Sequence, residues 1–258
     1  MATETTPAAG RLGWPPRPWR ARATLPGLMS ETTVGPRRPP PAVSVVMALL
    51  VTALDAALLA LALGSPGALL AHPRALALLA IWAIGGITLA LLRPVRGHDA
   101  VSVEKDGPFV LLLLFLIPLL TPPLAAWLEP TGSAVLPISL RWAGVALAGA
   151  GLAIRIAAMA QLGSRFSPRV AVQREHALET RGLYARVRHP GYLGALLAAL
   201  GGAMAFGGSP AALGLVGIML LLLRRRAERE EALLERHFGE AYASYRARSG
   251  RFLPRLAP

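Results

Sequence analysis

Long apolar runs alternate with short polar segments along most of this chain. The first run extends from about Ala42 to Leu63, the second from Arg74 to Leu92, the third from Phe109 to Leu128 and the fourth from Leu140 to Leu162. Each is close to the roughly 20 residues that an α-helix needs to cross the hydrocarbon of a bilayer. Two shorter runs follow, Tyr192–Phe206 and Ala211–Leu223, separated by Gly207-Gly208-Ser209-Pro210. That turn predicts a tight helical hairpin dipping through or deep into the bilayer. Residues 224–247 predict an amphipathic helix and 248–258 a basic tail. Pro118, Pro122 and Pro123 predict a kink or break in the third run. Gly194, Ala198 and Gly202, spaced by four, predict close helix packing. The expected fold is all-α, a polytopic integral membrane protein with about five to six membrane helices, a C-terminal helical hairpin and a cytoplasmic amphipathic helix.

The segment before the first run is rich in proline and arginine, with Pro39, Pro40 and Pro41 in succession. Proline at that density cannot hold a helix, and few apolar side chains are available for burial. Residues 1–41 are therefore expected to be a disordered basic tail, 42–162 four transmembrane helices, and 163–258 a separate, more polar C-terminal region.

Charge supplies the orientation. The net charge is +13, yet only 16% of the 258 residues are charged, against about 25% in a typical soluble domain. All but one of the 27 lysines and arginines are arginine. They concentrate in the N-terminal tail, the 93–106 loop, the 163–191 segment and the C-terminus. The connections near Ala71–Arg74, Glu129–Ser139 and Gly207–Pro210 carry little charge. The positive-inside rule then places both termini in the cytoplasm and accounts for the arginines without a nucleic-acid partner. No cysteine is present, which removes disulfides and thiolate chemistry. The histidines make no ligand spacing such as His-Glu-x-x-His, so no metal is expected.

Candidate chemistry starts at Arg155. The chain reads Arg155, Gln161-Leu162-Gly163, Phe166-Ser167, Val170-Ala171-Val172-Gln173 and His176-Ala177-Leu178. It continues as Gly182-Leu183-Tyr184, then Arg188-His189-Pro190-Gly191-Tyr192-Leu193-Gly194. After the hairpin come Arg226-x-x-x-Glu230-Glu231-x-x-Leu234, then Phe238-Gly239-x-x-Tyr242-x-x-Tyr245, then Arg251-Phe252-Leu253-Pro254. Over about residues 150–254 this resembles the isoprenylcysteine carboxyl methyltransferase family, which is related to the membrane phospholipid methyltransferases.

The resemblance implies an enzyme that uses S-adenosyl-L-methionine to methylate a lipophilic or lipidated acceptor in the membrane. It places cofactor contacts on His176, Ala177, Leu178, Glu179, Tyr184, His189, Pro190, Gly191, Tyr192 and Glu230, with Gln173 a looser candidate. It turns Arg226 toward the substrate. The residue types agree. The cofactor's cationic end needs an anion, which Glu230 offers, and its carboxylate and purine need the donors and aromatic faces of His176, Tyr184, His189 and Tyr192. No Gly-x-Gly-x-x-Gly opens a nucleotide-binding turn, so the cofactor must sit among interhelical loops.

A carboxylate acceptor needs no general base, whereas an amine acceptor does, and Glu231 is the nearest candidate. Arg226 and Glu230 share a helix face, which also fits a plain surface ion pair. A nicotinamide-dependent membrane reductase and an amine-directed phospholipid methyltransferase are the alternatives. Asp55, inside the first apolar run, is an intramembrane acid without a named partner. Arg155 fits either a snorkelling role or the site. Leu234, Phe238, Tyr242 and Tyr245 form a stripe that docks the last helix.

Overall fold

The computed structural model describes residues 40–92, 100–104, 107–163, 170–173 and 178–255, with backbone alone for 100–104 and 170–173. The expected disordered tail, apart from its last two residues, lies outside these. Eight α-helices are present among the described residues: α1 (Pro41–Ala62), α2 (Pro66–Leu70), α3 (Pro73–Leu92), α4 (Pro108–Leu128), α5 (Ile138–Leu162), α6 (Pro190–Ala205), α7 (Pro210–Phe238) and α8 (Glu240–Arg248). Pro41, Pro66, Pro73, Pro108, Pro190 and Pro210 each open a helix. Proline suits that position because its missing N–H is one that no helical carbonyl could have accepted from. An antiparallel ribbon, β1 (Ala100–Glu104) with β2 (Val170–Gln173), is the one departure from helix among the described elements.

Among the described residues, four helices are long and apolar enough to cross a membrane: Pro41–Ala62, Pro73–Leu92, Pro108–Thr131 and Ile138–Leu162. Their outward surfaces carry large apolar side chains such as Leu50, Leu61, Ile84, Leu112 and Trp142, the exposure expected when lipid rather than water is the solvent. Inside, Leu59, Leu78, Ile117, Ala148, Phe206 and Met219 form the core.

Three expectations about these helices change. α4 runs unbroken through Pro118, Pro122 and Pro123. In hydrocarbon no water can take over freed backbone groups, so a break costs more than the bonds the prolines forfeit. In the same stretch the Thr121 hydroxyl donates to the Ile117 carbonyl at 2.6 Å, and Pro122 and Pro123 pack inward. The second hairpin arm and the amphipathic helix are one continuous helix, α7, because no breaker stands between Leu223 and Arg224 and only the polarity changes there. It ends at Gly239, whose φ of +53° turns the chain into α8. The small-residue stripe also divides. Gly194, Ala198 and Gly201 face α5, while Gly202 faces Pro122 of α4.

The α5–α6 contact is made backbone to backbone. A Cβ on Gly151 would lie 2.5 Å from the Ala198 amide nitrogen, and one on Gly194 2.5 Å from the Gly151 carbonyl oxygen. A Cβ on Gly201 would strike the Ala148 amide. At the far end of the helices, Val135 and Leu136 donate their N–H groups to the Gly207 carbonyl at 2.9 and 3.0 Å. The hairpin tip therefore sits at the same end of the bundle as the α4–α5 connection. Arg74, Glu129 and Arg141 form an ion cluster at that end, and His72 accepts the Ala75 N–H there at 3.2 Å.

Gly201→Ala is expected to destabilise the protein by about 1–3 kcal/mol, because the added methyl meets backbone that cannot rotate away. Gly217→Ala on α7, where a Cβ meets nothing within 4 Å, is expected to leave the melting temperature in detergent unchanged. Equal melting temperatures for the two variants would contradict the close α5–α6 approach.

Candidate functional site

At the end of the bundle opposite the hairpin tip, residues 182–189 lead into α6. The Gln161 side chain fixes this entry: its Nε2 donates to the Arg181 carbonyl at 2.6 Å and its Oε1 accepts the Leu183 N–H at 3.2 Å. Gly182, at φ +53°, passes so close that a Cβ would lie 2.7 Å from that Oε1. Tyr184 follows on a 3-10 turn, buried, with its hydroxyl donating to the Ala158 carbonyl at 3.3 Å.

The residues after α8 are not a loose tail. Arg188 donates its N–H to the Gly250 carbonyl at 2.8 Å, Gly250 donates to Arg186 at 3.0 Å, and His189 donates to Arg251 at 3.1 Å. These bonds lay Gly250 and Arg251 alongside 186–189. Gly is required at 250, since a Cβ there would collide with the Leu253 carbonyl.

Side chains reinforce this clasp through Glu231 on α7. Its Oε1 accepts from Arg188 Nε at 3.0 Å and Arg251 Nε at 3.1 Å, and His189 Nε2 lies 3.1 Å away. Its Oε2 accepts from Arg251 at 2.9 Å. Burial pushes the Glu231 carboxyl up, but the hydrogen bonds from His189, Arg251 and Arg188 outweigh it and hold the group well below the usual carboxylate range.

The adjacent carboxylate is placed differently. Glu230 is 34% exposed at its side chain against 6% for Glu231. Glu230 Oε2 accepts from the Tyr192 hydroxyl at 2.8 Å, and His189 Nδ1 lies 3.6 Å from it. Arg226 Nε in turn donates to the Tyr192 oxygen at 2.8 Å. Tyr192 thus stands between the arginine and the glutamate that share its helix-facing side, and its ring stacks on His189 at 5.2 Å. Arg155 donates to the Gly191 carbonyl at 3.1 Å.

One cavity of about 700 Å³ connects this cluster with the interior of the bundle. Its polar end is lined by Leu178, Glu179, Tyr184, Arg188, His189, Gly191, Tyr192, Arg226 and Glu230. Of the residues expected at the site, Pro190 opens α6 beside the cavity and Glu231 stands behind its wall. His176 and Ala177 lie outside the described residues, as does the side chain of Gln173. The rest of the cavity is apolar and belongs to the first helices: Val51 on α1, Trp82 on α3, Leu114 and Phe115 on α4. Arg155 and the docking stripe also reach it, through Leu234, Tyr242 and Tyr245. Tyr242 is fully buried and its hydroxyl has no hydrogen-bond partner among the described residues. Arg188 and Arg251 were given no role from sequence, and Tyr242 was assigned to docking alone. Arg188 adjoins His189 in its motif, which was the available signal, and Arg251 opens the last quoted stretch, within residues expected to be a basic tail.

Residues 144–236 match the sequence model of the isoprenylcysteine carboxyl methyltransferase family. Over 95 residues the chain is 40% identical to the protein-S-isoprenylcysteine O-methyltransferase of Schizosaccharomyces pombe. That match covers 36% of this chain and 40% of the relative's length. The solved structure of a eukaryotic intramembrane Ras methyltransferase of the same family superposes with a TM-score of 0.53 at 19% identity, over 83% of this chain and 75% of that one. The family match includes α6 and the part of α7 that carries Glu230 and Glu231. The segment that builds the polar end of the cavity thus resembles the isoprenylcysteine carboxyl methyltransferase family, and the fold is similar to that of the solved membrane methyltransferase.

Proposed function

We propose that the chain is an S-adenosylmethionine-dependent methyltransferase that esterifies the carboxylate of a lipophilic acceptor, of the isoprenylcysteine kind, at the cytoplasmic membrane face. The observation that carries this reading is the single cavity that is apolar among α1, α3 and α4 and ionic where α6 and α7 meet. Such a chamber suits an amphiphile whose tail lies among the helices and whose charged head reaches Arg226.

The polar end fits the cofactor on its own chemistry. Glu230 is an accessible anion for the cationic end, His189 and Tyr192 offer a stacked aromatic pair, and the buried Tyr242 hydroxyl is a donor without a partner among the described residues. Leu178, Glu179, Tyr184, His189, Gly191, Tyr192 and Glu230 would hold it, with Gln173, His176, Ala177 and Pro190 completing the set that the family resemblance implies. When bound, the cofactor supplies an electrophilic methyl group. No metal is invoked, and membrane lipid surrounds the catalyst.

The remaining work falls to side chains. An acceptor carboxylate is ionised at neutral pH and needs no base. Arg226, buried and braced by Tyr192, grips it, since a guanidinium can present two parallel N–H groups to a carboxylate. The apolar walls exclude water and hold the acceptor in line. Glu231 is a positioning residue. A carboxylate held below its usual range and wrapped by Arg188, His189 and Arg251 is a poor proton acceptor. This favours the carboxylate acceptor over the amine. Positive-inside charge places both termini on the cytoplasmic side, with six passes if both hairpin arms span.

The purified protein in lipid nanodiscs is expected to transfer labelled methyl to an isoprenylcysteine acid and not to phosphatidylethanolamine, and to bind S-adenosylmethionine rather than NADPH. Arg226→Lys is expected to reduce that transfer at least tenfold, because lysine keeps the charge and loses the planar fork. Transfer to the amine lipid, or full turnover in the lysine variant, would contradict the reading.

The two neighbouring carboxylates are expected to separate. Glu230→Gln should weaken S-adenosylmethionine binding more than tenfold, the loss of a charge-assisted contact of about 1.5–3 kcal/mol, with the melting temperature retained. Glu231→Gln should lower stability by about 3 kcal/mol, since it strands buried Arg188. Because the folded pKa of Glu231 is depressed, its contribution is present above the ordinary carboxylate range and is lost as pH falls below it. Calorimetric binding and thermal melts at pH 7 and pH 4 check both; swapped phenotypes would reverse the assignment.

A further inference from the structure

At the inner end of the cavity sits Asp55, roughly 20 Å of helical rise along α1 from Pro41. It is 2% exposed, and neither carboxyl oxygen has a hydrogen-bond partner among the described residues. Thr52, three residues earlier and on the same helix face, also lines the cavity. Its hydroxyl donates to the Ala48 carbonyl at 3.0 Å and so presents lone pairs outward. Around them the lining is apolar, with Trp82, Pro118 and Met219.

A buried acid with both oxygens unsatisfied is costly, and a hydrocarbon tail filling this cavity would leave it unsatisfied. Neither packing nor internal hydrogen bonding accounts for it, and it faces the space where the acceptor's tail would end. Resting on the methyltransferase reading above, we propose that Asp55, with Thr52, selects acceptors whose lipid tail carries a hydrogen-bond donor, a hydroxyl or an amine, near its distal end. The preferred substrate is thus an amphiphile with polarity at both ends: a carboxylate at Arg226 and a donor group at Asp55. A plain isoprenoid tail fits the shape of the cavity but leaves Asp55 without a partner.

The test uses three synthetic cysteine thioether acids with tails of equal length, ending in hydrocarbon, hydroxyl or amine. Their equilibrium binding to the full-length protein in nanodiscs is measured without cofactor. Methyl transfer and S-adenosylmethionine binding are measured on the same preparation. The wild type is expected to bind at least one donor-ended tail about tenfold more tightly than the hydrocarbon. The tighter of the hydroxyl and the amine then identifies the donor. In Asp55→Leu the ratio should fall to about one or reverse. The melting temperature of the unliganded Asp55→Leu protein should equal or exceed that of the wild type, since an unsatisfied buried group has been removed.

Equal or tighter binding of the hydrocarbon tail by the wild type overturns the proposal. So does a donor preference that survives in Asp55→Leu, or a melting temperature that falls in that variant and marks Asp55 as structural. Binding of the donor-ended tails without methyl transfer would defeat the methyltransferase reading while leaving the Asp55 preference in place. Absence of binding by all three tails would overturn both.

Discussion

Ion pairing at Glu231 is the constraint on which the site depends. One buried carboxylate joins three stretches of chain that are far apart in sequence: α7, the Arg188-His189 entry to α6, and Arg251 after α8. Removing charges from water is expensive, and the expense is offset only when every lone pair is engaged in good geometry. Here both oxygens are. The consequence is positional: His189 is pinned by Glu231 on one ring nitrogen, so its stacked partner Tyr192 and the neighbouring Glu230 are set relative to it. The backbone pairing of 186–189 with 250–251 serves the same end with neutral bonds.

Two adjacent glutamates on one helix therefore take opposite roles through environment alone. Successive residues on an α-helix point about 100° apart, so Glu231 turns into the clasp while Glu230 turns to the cavity. The partners of Glu231 hold its carboxyl below the usual carboxylate range, which weakens it as a proton acceptor. What is left at the cavity wall is an arginine, a tyrosine and an open carboxylate, a set suited to holding charged ligands rather than to moving protons. Carboxylate methylation asks for no more than that, because the nucleophile arrives ionised.

Hydropathy made the helices legible because membrane spans are read from length and apolarity alone. The apolar runs began within about two residues of the helices they predicted, whereas the short α2, opened by Pro66, was not expected. Breaks were misjudged where a rule learned from water was applied inside hydrocarbon, at the α4 prolines. The fusion of hairpin arm and amphipathic helix into α7 was hidden because polarity shifts at Leu223 while helix propensity does not. At the site, the Arg188–Tyr192 and Arg226–Glu231 motifs marked which residues converge, but not which carboxylate was engaged. That depends on Arg251, a residue whose local sequence reads as tail. The cavity itself was illegible, since no pattern within an apolar run tells a lipid-facing leucine from one that lines a void. Asp55 stood out by its charge, and only the fold shows that it points into that void.

The central claim is that one cavity joins an acceptor tail among α1, α3 and α4 to a charged head at α6 and α7. Photocrosslinking tests it most directly. An isoprenylcysteine acid with a diazirine in its tail should label residues 47–55, 82–89 and 111–119, with labelling abolished by excess unmodified acceptor. Labelling confined to the lipid-facing positions Leu220 and Leu221, or labelling that competitor leaves unchanged, would contradict the account.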